Sequence, residues 1–111
     1  MTDIRGTGGN EPLSPRDKQL YQQEFKHAAD LFQRSLDQYA KSDNPYQKEE
    51  FKEVMDKAMR VLNETAQELM KNELLKQNEK IAQDWATYQQ DGSPKSQEQL
   101  SKDLDRAKRS V

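Results

Sequence analysis

His27 is the only histidine of the chain, and Asp30 stands three residues after it. On a helix that spacing puts an imidazole and a carboxylate on one face, the beginning of a metal site. Zinc needs three or four ligands, and with no Cys in the chain nothing nearby completes the set, so His27 reads as a surface or flank residue. Glu49-Glu50 and the Asp103/Asp105 pair could in principle share a proton or an ion, but on helices they read as solvated faces. Gly6-Thr7-Gly8-Gly9 has no strand before it and so lacks the setting of a phosphate-cradling loop. There is no Gly-x-Ser-x-Gly and no calcium loop, and without Cys there is no thiolate chemistry, zinc-thiolate site or iron–sulfur cluster. Catalysis needs a positioned acid, base or nucleophile in a pocket that excludes water. The expectation is a protein that is not an enzyme, with no metal, no cofactor and no small-molecule substrate.

Composition agrees with that. The 111 residues are 32% hydrophobic and 34% charged, against roughly 45–50% and 25% for an average globular domain. That is too little apolar material for a multilayered core. The net charge of −2 gives no electrostatic reason to expect nucleic acid or an anionic membrane as the main partner. No run of apolar residues exceeds two, as at Leu31-Phe32 or Leu74-Leu75. A membrane-spanning helix needs about 20 in a row and a signal-peptide core about 7–15. The expectation is a soluble, cytoplasmic protein without membrane insertion, with signal-independent export left open.

The elements that must carry any function are helices. Residues 1–13 hold three of the four glycines and no periodicity, and read as a disordered leader. Ser14-Pro15-Arg16-Asp17 suits a helix start: a hydroxyl at the N-cap, proline at the first position, a carboxylate in the first turn. Tyr21, Phe25, Ala28, Phe32, Leu36 and Tyr39 then follow at steps of three and four. Ser42-Asp43-Asn44-Pro45 reads as a turn at 42–45, with Asn44 and Gln47 as a capping box for a second helix. That helix is expected to run from about Tyr46 to about Gln90, because no Gly or Pro lies between Pro45 and Gly92. At ~1.5 Å per residue it would be roughly 67 Å long. Its stripe is Phe51, Met55, Ala58, Leu62, Ala66, Met70, Leu74, Ile81, Trp85 and Tyr88, broken only by Gln77, and Glu53–Lys57, Asp56–Arg60 and Lys80–Asp84 have the spacing of surface ion pairs. Asp91-Gly92-Ser93-Pro94 ends it, and Ser96 with Gln99 opens a short third helix carrying Leu100, Leu104, Ala107 and Val111.

The fold class is therefore all-α: an antiparallel helical hairpin over 14–90 with a long second helix, followed over 91–111 by a loop and a short C-terminal amphipathic helix. A tight turn makes its helices antiparallel neighbours. The two stripes register as Tyr39 with Phe51, Leu36 with Met55, Phe32 with Ala58, Ala28 with Leu62 and Phe25 with Ala66, and three of these rungs set large against small.

The functional expectation follows from helix lengths. A first helix starting at Pro15 and folding back at Pro45 covers the second only to about residue 75. Leu75, Ile81, Trp85 and Tyr88 would then form an apolar overhang, which the third helix, through Leu100 and Leu104, covers incompletely. Monomeric proteins rarely leave such a stripe bare. These six residues are the expected partner-binding site, taking another protein's helix or the same surface of a homodimer mate. The chain would be a non-catalytic interaction module, such as an adaptor, assembly factor or small chaperone. The alternative of weak nucleic-acid binding rests on the basic residues of the third helix, Lys95, Lys102, Arg106, Lys108 and Arg109.

Across residues 20–75, two helices joined by Ser42-Asp43-Asn44-Pro45 resemble the hairpin of type III secretion needle subunits, which have a similar Asn/Asp-Pro turn. The resemblance implies a needle-like structural subunit, and a polar leader would suit that export. The chain departs from the pattern in its greater length and its charged last helix.

Overall fold

The computed structural model describes residues 13–111, so the expected leader lies, but for Leu13, outside the described residues. Four helices make up nearly all of the rest: α1 (Pro15–Lys41), α2 (Pro45–Glu68), α3 (Asn72–Asp91) and α4 (Pro94–Arg109). The chain is all-helical among the described residues.

Three of the four helix starts share one device. Ser14, Asn44 and Ser93 are extended N-cap residues whose side chains accept backbone N–H bonds, and each is followed by proline at the first helical position. Proline there gives up an N–H that would have no partner anyway. The Asn44 amide oxygen takes the N–H of Tyr46 at 2.8 Å and of Gln47 at 3.4 Å. The expected capping box is not closed, because the Asn44 N–H donates instead to the Ser42 hydroxyl, which also bonds the Gln47 side chain. At the last helix the cap is Ser93 rather than Ser96, and Pro94 opens α4 instead of merely stopping the helix before it.

The long second helix is not formed. It breaks at Leu69–Lys71 into α2 and α3. Met70 adopts φ 56°, the only positive-φ non-glycine residue among those described. Its N–H donates to the Gln67 carbonyl at 3.0 Å and the Lys71 N–H reaches back to the Ala66 carbonyl at 3.3 Å. This is the Schellman arrangement that ends helices, normally with glycine at the left-handed position. No side chain caps the start of α3. The local sequence does not ask for this turn; tertiary packing requires it.

The break folds α3 back along α2, and α4 then returns along α3 and α1. Each helix thus packs on two neighbours in a ring, with the α1–α2 pairing the most extensive. The core contains Phe25, Phe32, Leu36, Met55, Leu62, Leu74, Ile81 and Leu100, all fully buried. Fully burying one such side chain contributes about 1.5–3 kcal/mol. Of the three expected surface ion pairs, Lys80–Asp84 is formed at 3.6 Å. Neither Glu53–Lys57 nor Asp56–Arg60 comes within bridging distance. Nothing is lost by this, since such exposed pairs are worth only ~0.3–0.5 kcal/mol.

Candidate interaction surface

The six residues expected to bind a partner lie on α3 and α4, and the structure turns most of them inward. Ile81 and Leu100 are fully buried, Leu104, Trp85 and Tyr88 nearly so, and Leu75 is half-buried. The bare overhang is therefore absent. Its premise was a straight second helix. With the chain bent at Met70, the far segment lies over the α1–α2 pair, and α1 supplies what α4 alone would not. Phe32 meets Trp85 edge-on at 6.0 Å between ring centres, and Tyr39 meets it at 5.4 Å. Tyr39 also packs edge-on against Tyr88 at 6.1 Å. Edge-to-face contacts of this kind add about 0.5–1.5 kcal/mol each beyond area burial. Burial holds the Tyr88 phenol above its ordinary pKa, with Tyr39 and Asp91 adding to the shift.

Polar contacts fix how the two helix pairs meet. The Gln33 amide donates to the Ser101 hydroxyl at 3.0 Å, and the Lys108 ammonium donates to the Asp30 carboxylate at 2.6 Å. Deeper in, the Asn78 amide donates to the Leu62 carbonyl at 3.0 Å, while its own oxygen is buried without a partner. Between α3 and α4, Lys80 lies 3.6 Å from Asp84 and 3.8 Å from the buried Asp103, whose other oxygen accepts from Gln99. At the α3–α4 turn, Asp91 accepts from the Ser93 N–H at 2.9 Å and the Ser96 hydroxyl at 2.7 Å, which lowers its pKa below the usual carboxylate value.

The chemistry weighed for His27 does not assemble. Asp30 is engaged by Lys108 instead of pairing with it, and the described residues hold no group of three potential ligands placed for a metal ion. No helix among the described residues is long and apolar enough to cross a membrane.

A different surface is open. Between α1 and α2 runs a groove of about 700 Å³, lined by those two helices alone. Tyr21, Ala28, Ala58 and Val61 give it an apolar floor with exposed Leu31 at its edge, and Glu24, Glu64, Glu68, Lys57 and His27 also line it. Leu31 is 37% exposed, and Leu20, one helical turn before Glu24, is 51% exposed. The sequence carried a faint signal for it. Leu31 and Val61 are apolar yet stand off the main stripes, where a solvated face would carry polar residues.

Compared with known protein families, curated proteins and solved structures, the chain matches none.

Proposed function

We propose that the chain is a non-catalytic protein–protein interaction module in which α1 and α2 act as an antiparallel hairpin and present their outer groove to a helix of another protein or of a second copy. The carrying observation is the open, apolar-floored groove between α1 and α2 with Leu31 at its edge. A surface of this kind suits the helix-in-groove mode, in which an amphipathic segment lays its apolar face between two helices. The α3–α4 pair braces the hairpin from the other side. Binding phosphate through α4 is less well supported, since Lys108 and Arg109 face Asp30 and Asp105 of the chain itself.

The test is capture of binding proteins from the native host under mild crosslinking, with the unaltered chain and with Leu31→Glu/Val61→Glu side by side. The proposal expects at least one protein held by the first and lost by the second, with unchanged circular dichroism. Identical captures with both would overturn it.

A further inference from the structure

We propose that the chain forms a dimer by exchanging α3 and α4 between two copies, with Leu69–Lys71 as the hinge. In the closed form Met70 occupies a left-handed conformation at φ 56°, and its side chain is 71% exposed. An L-residue with a side chain is disfavoured there, because its Cβ crowds the following carbonyl. The hinge residues Leu69, Met70 and Lys71 are all good helix formers, and no Gly or Pro lies between Pro45 and Gly92. Straightening the hinge relieves Met70 and joins α2 to α3 in one helix about 70 Å long, at ~1.5 Å per residue. Short, strained hinges are where such exchange arises.

What leaves one copy is re-formed in the other. The pairings of α1 with α2 and of α3 with α4 stay within a chain. The contacts that change hands are Phe32–Trp85, Tyr39–Tyr88, Gln33–Ser101, Lys108–Asp30 and Asn78 with the Leu62 carbonyl. Every one of these is rebuilt with the same geometry between chains, so away from the hinge, where Leu69 belongs to the core, the exchange loses no core contact. The proposal is independent of whether the α1–α2 groove binds another protein.

The absence of Cys allows a direct test. Gln33→Cys and Ser101→Cys are placed in separate full-length chains, unfolded together in urea, refolded at high concentration and oxidised only after the urea is removed. Exchange predicts disulfides joining unlike chains in large excess over like-with-like pairs. Adding Met70→Gly to both chains should weaken dimerisation about 5-fold per hinge, or about 25-fold for the two hinges of a dimer. Met70→Leu should preserve it. Both substitutions in one chain at low concentration should close an internal disulfide, which shows that the altered chains fold and that the two positions meet. Internal closure in that chain, together with unlike pairs no more frequent than like pairs in the mixture, would overturn the proposal. So would a dimer yield indifferent to Met70→Gly.

Discussion

The turns after α1 and after α2 are each three residues long, yet they are specified by different means. At Ser42–Asn44 the side chains do the work. Asn44 caps two N–H groups, Ser42 receives the Asn44 N–H and contacts Gln47, and Lys48 both donates to the Tyr39 carbonyl at 3.0 Å and sits 4.3 Å above the Tyr39 ring. At Leu69–Lys71 no side chain caps anything, and the residue at the left-handed position is methionine. The first turn would form from local preference. The second exists because Leu74, Ile81, Trp85 and Tyr88 are better buried on the α1–α2 pair than left in water.

That contrast can be broken hardest through the packing. Phe32→Ala removes the ring that Trp85 leans on and should cost about 3–5 kcal/mol, as deletion of a buried aromatic does. Urea unfolding should show the loss. If the second turn depends on packing, the same variant should expose Trp85 before its helicity falls. Asn44→Ala should cost about 0.5–2 kcal/mol through the lost cap, read as a lower urea midpoint without a change in slope. Met70→Gly acts in the opposite direction and should stabilise the monomer by up to about 1 kcal/mol, because glycine accepts positive φ. A destabilised Met70→Gly monomer would show that the turn is held by the Met70 side chain after all. The smallest effect belongs to the third turn. Asp91 has a lowered pKa, so its stabilisation is present above the ordinary carboxylate value of 3.8 and is lost as pH falls through its lower folded-state value. Asp91→Asn should therefore be slightly less stable than the unaltered chain at pH 7, and the two melting curves should converge in strong acid.

The same contrast sets how much of the molecule was legible from its residues. Helix starts at Pro15 and Pro45 were written in cap-and-proline pairs, and the α1 stripe from Phe25 to Leu36 is the core it was expected to be. The break at Met70 had no such mark. In the sequence Ala66, Met70 and Leu74 continue the stripe at steps of four; in the structure Leu69 and Leu74 are buried and Met70 is exposed. The interaction surface inferred for Leu75, Ile81, Trp85 and Tyr88 inherited that miss, since the length arithmetic behind it assumed an unbroken rod. The groove between α1 and α2 was hidden for another reason. Leu31 and Val61 each stand directly before a stripe residue, Phe32 and Leu62, so they do not mark a second apolar face of their own, and which face of a helix pair stays open is decided by where the other two helices settle.

Trp85 makes the meeting of the two helix pairs visible to light. It is the sole tryptophan, it rides on α3, and two of the aromatic rings around it, Phe32 and Tyr39, belong to α1. Its near-ultraviolet dichroism depends on those fixed ring angles, 83° and 77°, whereas the far-ultraviolet signal depends only on helix content. A stopped-flow trace recorded in both bands would thus time docking separately from helix formation. The lag between them measures how long α3 and α4 exist as helices before they find α1.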